Sequence, residues 1–116
     1  EFYNNKIHGN GYMIWYGSSN EKFIGSWSDN VRDGMGIQIW YDIKGDNKFL
    51  KNRYIGEWES NQRHGYGIFF YANGSKYEGF WKNNLKNGFG VMTNTDGRED
   101  LVIYEDDKII EYLSAF

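Results

Sequence analysis

The chain has 116 residues, a formal net charge of −3, no Cys and no Pro, and its 15 Gly stand beside 8 Phe, 5 Trp and 10 Tyr. That length holds one ordinary domain, and without Cys there is no disulfide framework, thiolate metal site or Cys nucleophile. The negative balance excludes the basic footprint of bulk nucleic-acid binding, and no apolar run is long enough to cross a bilayer as a helix.

Gly-aromatic pairs recur along the chain. It opens with Glu1 and Phe2 seven residues ahead of Gly9-Asn10-Gly11, so the frame begins inside a unit, and the expectation is an excised piece of a longer protein. The next unit reads Phe23, Gly25, Trp27, then Gly34 and Gly36. It is followed by Tyr54, Gly56, Trp58, Gly65 and Gly67, and then by Tyr77, Gly79, Trp81, Gly88 and Gly90. Tyr54 to Tyr77 is one period of 23, and in all three units the Trp precedes the Gly-x-Gly pair by seven residues. At the next period, Asp100-Leu101-Val102-Ile103-Tyr104 has lost the leading aromatic and the Gly, as a capping unit does. The units are therefore a partial one at 1–22, full ones at 23–53, 54–76 and 77–99, and a degenerate cap at 100–116.

Residues spaced two apart share one face of a strand, so Tyr77, Gly79 and Trp81 point the same way. Each unit is expected to be a β-hairpin, and the whole an all-β, single-layer, twisted antiparallel meander, elongated to roughly 45 Å and open at its edges. Lys82 to Asn87 reads as a polar turn. Tyr71-Ala72-Asn73-Gly74 and Asp96-Gly97 read as tight turns with Gly at positive φ, and Asn20 takes the matching place before Phe23. The second unit is eight residues longer, and its stretch 42–53 is expected to lengthen the hairpin with Lys44-Gly45-Asp46-Asn47 at the tip. Gly67 is expected to face Tyr77 and Gly88 to face Trp81, giving each ring a bare strand to lie on. The tail from Lys108 reads as a strand, although Ile109, Leu113 and Phe116 are also spaced as a helical face.

This arrangement resembles the MORN repeat family over nearly the whole chain. The resemblance implies a single-layer β-sheet with a groove, serving non-catalytic interaction: binding partner proteins, often helices, in cytoskeletal or membrane-associated assemblies, with phosphoinositide membranes reported for some members. Departures are Phe23 for Tyr, Phe2 for Trp, the eight-residue addition and the eroded last unit. Richness in Asn, Ile and Lys, with their A/T-rich codons, fits a protist source. The expected location is cytoplasmic, cytoskeletal or peripheral at the inner face of a membrane.

Off the fingerprint face, Ile14, Ile37, Ile39, Tyr66, Ile68, Phe70, Phe89 and Val91 form an apolar stripe. It marks either a partner site, with a helix or extended segment as ligand, or a surface covered by flanking sequence or self-association. Trp15, Trp40 and Tyr71 sit near strand ends on the fingerprint side, as a partner-binding rim or as further ring packing. Lys44, Lys48, Lys51 and Arg53 are candidates for contact with anionic phospholipid, against the alternative of a solvated tip. Open sheet edges make homo-oligomerisation a further reading. His8 and His64 occupy a slot that also holds Asp33 and Asn87, which argues for a polar turn position rather than a metal ligand. No nucleophile elbow or phosphate loop is present, Asp106 and Asp107 read as an exposed turn, and the expectation is no enzyme and no cofactor.

Overall fold

The computed structural model describes residues 2–3, 6–17 and 20–115. The expectations for Glu1, the Phe2 ring and Phe116 fall outside the described residues and side chains. A two-stranded piece, β1 (Phe2–Tyr3) and β2 (Lys6–Ile7), precedes the main sheet. That sheet runs β3 (Gly9–Trp15), β4 (Asn20–Ser28), β5 (Val31–Lys44), β6 (Asn47–Glu59), β7 (Gln62–Phe70), β8 (Lys76–Lys82), β9 (Leu85–Thr93), β10 (Glu99–Glu105) and β11 (Lys108–Ala115). Its nine strands lie in chain order, each antiparallel to the next, and the sheet is open. This is the expected meander, and the tail is a strand. The radius of gyration is 15.7 Å and the longest axis 49 Å, against about 13 Å for a compact domain of this length.

The register differs from the expected one and explains the glycines better. Gly11, Gly25, Gly36, Gly56, Gly67, Gly79 and Gly90 are successive cross-strand partners, a bare row across seven strands that ends on Val102. Gly67 therefore faces Gly79, Tyr77 faces Phe69, and Trp81 faces Gly65 on one side and Lys86 on the other. The rings reach the row diagonally. Phe23 lies over Gly36, Tyr54 over Gly67 and Tyr77 over Gly90, where a Cβ would run into the ring. The Trp of each full unit's fingerprint then donates its indole N–H to a glycine carbonyl of the preceding unit: Trp27 to Gly11 at 3.1 Å, Trp58 to Gly36 at 3.3 Å and Trp81 to Gly67 at 3.3 Å.

The rings pack on one another edge to face. Trp27, Phe23, Trp58, Tyr54, Trp81, Tyr77 and Tyr104 form one continuous herringbone, with centroids 5.2–5.5 Å apart and planes 83–89° apart. Such pairs contribute about 0.5–1.5 kcal/mol beyond the area they bury. In the last unit Tyr104 stands in the Trp position and finishes the series, while Val102, 1% exposed, closes the glycine row.

Two turn types alternate. The turns after β7 and β9 are as expected: Gly74 N–H donates to Tyr71 O and Gly97 N–H to Asn94 O, with both glycines at positive φ. Asn20 is not in such a turn. It is a strand residue paired with Tyr41, because β4 starts earlier than the glycine pattern implied. The expected polar turn at Lys82–Asn87 is only two residues long. Asn83 and Asn84 have φ of 50° and 69°, and Leu85 already belongs to β9. Asp29-Asn30, Ser60-Asn61 and Asp106-Asp107 repeat that geometry, the signature of a type I′ hairpin turn. Beyond each full-unit turn the second strand carries two extra residues. Asn87, Gly88 and Phe89 stand opposite Phe80 alone, and Gly88 has φ of 102°. The first glycine of each pair thus serves a bulge, and the second serves ring contact.

These turns join one unit to the next. The second turn residue donates its N–H to a strand carbonyl of the preceding unit and accepts that residue's N–H on its own side-chain oxygen. Asn30 does this to Ile7, Asn61 to Arg32, Asn84 to Arg63 and Asp107 to Lys86, at 2.7–3.1 Å. The Asn or Asp acts as a one-residue strand partner where the bulge has broken the ladder.

Gly67→Ala should cost about 2–3 kcal/mol by forcing Tyr54 out of place, whereas Gly74→Ala, open on all sides but at positive φ, should cost about 1–2 kcal/mol; thermal denaturation compares them. Asn84→Gly keeps the turn but removes the acceptor and should cost about 1 kcal/mol, with Asn83→Gly near neutral.

Candidate interaction surfaces on the two faces of the sheet

The alternation of each strand divides its side chains between a ring face and an aliphatic face. The ring face is largely filled by its own groups. Arg32 lies 4.7 Å from the Trp58 centroid and Arg63 4.9 Å from that of Trp81, while Lys86 stands 5.2 Å from that of Tyr104. Arg32 Nη2 donates to Asn61 O at 3.1 Å and Arg63 Nη2 to Asn84 O at 2.8 Å, so each guanidinium also fastens the following turn. Burial lowers the pKa of both arginines. Neither forms an ion pair with a carboxylate among the described residues; Arg32 is linked to Glu21 only through Gln38. Trp15 and Trp40 lie on this face. Trp15 packs on Trp27 and beneath Arg32, and Trp40 on Phe69 and beside Arg63. Tyr71 stacks on Phe69 and receives a long contact from Lys86 Nζ at 3.5 Å. These three are packing against rings and cations, half-buried, rather than a free rim. A cleft of about 520 Å³ opens beside Trp15, Trp27 and Arg32.

The aliphatic face carries the predicted stripe. Tyr12, Ile24, Ile37, Ile55, Ile68, Glu78, Val91 and Leu101 are successive cross-strand partners from β3 to β10. The next row on one side is Ile14, Lys22, Ile39, Arg53, Phe70, Lys76, Thr93 and Glu99. On the other side lie the pairs Met35–Glu57, Tyr66–Phe80 and Phe89–Ile103. Ile14, Ile37, Ile39, Tyr66, Ile68, Phe70, Phe89 and Val91 thus share one surface. Among the described residues no second layer covers it: Met35 and Phe89 are each 58% exposed and Tyr66 47%.

The four candidate lipid-contacting residues do not share a surface. Lys44 points to the ring-face side with Phe49, 5.7 Å from that ring. Lys48 points the other way, 5.2 Å from Tyr41, and Arg53 lies 4.2 Å from Phe70. Lys51 is the extra residue of a bulge opposite Trp40/Tyr41. In the slot shared by His8, Asp33, His64 and Asn87, the last three lie within β5, β7 and β9 rather than in a turn, and His8 stands between β2 and β3. Asp33 Oδ1 accepts from Ser60 N, Asn87 Oδ1 from Asp106 N, and His64 Nε2 stands 3.4 Å from Glu59 Oε2. Asp106 and Asp107 are exposed in a turn, but Asp107 also accepts the Lys86 N–H. What reading the sequence missed is this docking function of the turn residues. The signal was there: Asn30, Asn61 and Asn84 each stand four residues before a Gly-x-Gly pair.

An open ribbon of in-register β-hairpins, with a ring core on one face and an uncovered apolar surface on the other, defines a tandem β-hairpin repeat protein. Segments 1–19, 23–42, 54–76 and 77–97 match the family model of the MORN repeat, and the chain belongs to that family. A comparison with curated proteins returned no match.

The Tyr54 and Tyr77 hydroxyls donate to Glu57 O at 2.9 Å and Phe80 O at 3.1 Å, and burial raises the pKa of both. The neutral phenol is favoured in the folded state relative to the unfolded one. Its stabilisation is complete below the unfolded tyrosine pKa of about 10 and is lost as pH rises above it. Melting temperatures should therefore fall above pH ~10, and Tyr54→Phe should flatten that fall.

Proposed function

We infer that this chain is a non-catalytic interaction array that binds a segment of a partner protein along the aliphatic face. The observation that carries the reading is the apolar row from Tyr12 to Leu101, interrupted only by Glu78, on a sheet face with no second layer among the described residues. Eight strands at about 4.8 Å spacing give a row about 34 Å long. A helix of about 22 residues matches that length. An extended segment also fits. Uncovered apolar surface of this kind marks interaction sites in soluble proteins. Membership of the MORN family supports the non-catalytic reading. A cytoplasmic setting, in a cytoskeletal or membrane-peripheral assembly, is consistent with that membership. Among the described residues no helix is long and apolar enough to cross a membrane.

Contact with anionic phospholipid through the hairpin of residues 42–53 is the weaker reading. Its cations divide between two faces, and Asp46 sits in the tip turn beside Gly45. Self-association through sheet edges has no feature here that favours it over a partner on the face.

The double substitution Ile37→Asp with Ile68→Asp tests the face. Circular dichroism should show the fold kept, and proteins retained by the wild-type chain in quantitative pull-down should be depleted about tenfold or more. Unchanged retention by a folded variant sinks the reading.

A further inference from the structure

The lengthened stretch 42–53 builds something the repeat pattern does not contain. Ile39 pairs with Arg53, but Tyr41 pairs with Leu50 and Ile43 with Lys48, because Lys51 is an extra residue in β6. Without that bulge, Leu50 and Arg53, three apart, would point to opposite faces. With it, Lys48, Leu50 and Arg53 all lie on the aliphatic face, and Lys22, the partner of Ile39 on β4, joins them. The result is a hollow of about 270 Å³ lined by Lys22, Ile39, Tyr41, Lys48 and Leu50. It flanks the apolar row on β4 to β6, beside Ile24, Ile37 and Ile55, with Arg53 paired to Ile39.

The charges here are uncompensated. Lys22, Lys48 and Arg53 lie against the rings of Tyr12, Tyr41 and Phe70, at 5.3, 5.2 and 4.2 Å. None has a carboxylate within ion-pair distance among the described residues. The shielded Nε of Arg53 has no hydrogen-bond partner. Nearby acids are directed elsewhere. Glu21 accepts from Gln38, Asp42 pairs with Phe49 on the opposite side, and Glu78 is held by Lys76 at 3.0 Å.

We propose that this hollow is the anionic anchor site of the partner surface, and that the partner segment is acidic and amphipathic. Its apolar side chains lie on the isoleucine row, and carboxylates along one side of it meet Lys22, Lys48 and Arg53. This rests on the reading of the aliphatic face given above and adds the partner's chemistry and which of its sides is acidic. A protein segment fits better than a bilayer. Lys22 and Arg53 stand at the base of the long hairpin and Lys48 near its tip, which carries Asp46, so an anionic surface that engages the tip meets that carboxylate before it meets Lys22. Charge-assisted contacts beside a desolvated apolar floor are stronger than exposed ion pairs.

The probe is a fluorescein-labelled peptide of alternating Leu and Glu, with a Leu–Lys peptide and vesicles of phosphatidylcholine containing phosphatidylserine as comparisons. The Leu–Glu peptide should bind and weaken with added salt, and amide signals of Lys22, Ile39, Tyr41 and Lys48 should shift in NMR spectra. Lys22→Glu with Lys48→Glu should weaken it about tenfold or more, while Lys44→Glu, on the opposite side of the same hairpin, should leave it unchanged. Equal loss with Lys44→Glu, equal binding of the Leu–Lys peptide, or binding to vesicles but not to the Leu–Glu peptide would each overturn the proposal. If Ile37→Asp with Ile68→Asp abolishes binding but the charge reversals do not, the partner face stands and the anchor site fails.

Discussion

A tyrosine ring can lie flat on a β-strand only where that strand has no Cβ. The whole ribbon depends on this steric condition. A single sheet has no second layer to shelter its side chains, so the rings must find shelter on the sheet itself. Phe23, Tyr54 and Tyr77 do so by lying across Gly36, Gly67 and Gly90, and all three are fully buried without a facing layer. The Trp residues then fill the space between neighbouring rings, and their indole N–H groups go to glycine carbonyls that the rings leave open.

This solution places the core on one face and leaves the other free. The ring face spends its area on internal contacts, with Arg32, Arg63 and Lys86 laid over the herringbone and fastened to the next turn. Along the aliphatic face, the isoleucines from β4 to β7 have no layer packed over them among the described residues. With the partner surface proposed above, stability and interaction fall on opposite sides of the same strands. A substitution on the aliphatic face then changes binding with little effect on the core, whereas one in the glycine row unseats a ring.

Much of this was legible because the constraint is local and periodic. A ring two residues before a Gly, and a Gly-x-Gly pair seven residues after a Trp, are spacings along the chain. They led directly to hairpins, to unit length and to the family. The faces of Ile37, Ile68 and Val91 followed from the two-residue period of a strand. The register did not. Whether Gly67 faces Tyr77 or Gly79 depends on where each turn closes, and a two-residue type I′ turn with a bulge behind it has the same composition as the longer polar turn expected at Lys82–Asn87. The long hairpin is a second case, since the bulge at Lys51 is invisible in composition yet decides which lysines share a surface.

The sequence by itself determined the repeat, the strand alternation and the division into ring and aliphatic faces, since all three arise from spacings within one unit. Only the tertiary structure decided how units join. Asn30, Asn61, Asn84 and Asp107 become cross-unit strand partners only when the preceding unit presents an unpaired N–H and C=O beside them. The same holds for the separation of Lys44 from Lys48 and Arg53. These are relations between residues on neighbouring strands, set by backbone hydrogen-bond register, and spacing along the chain carries no record of it.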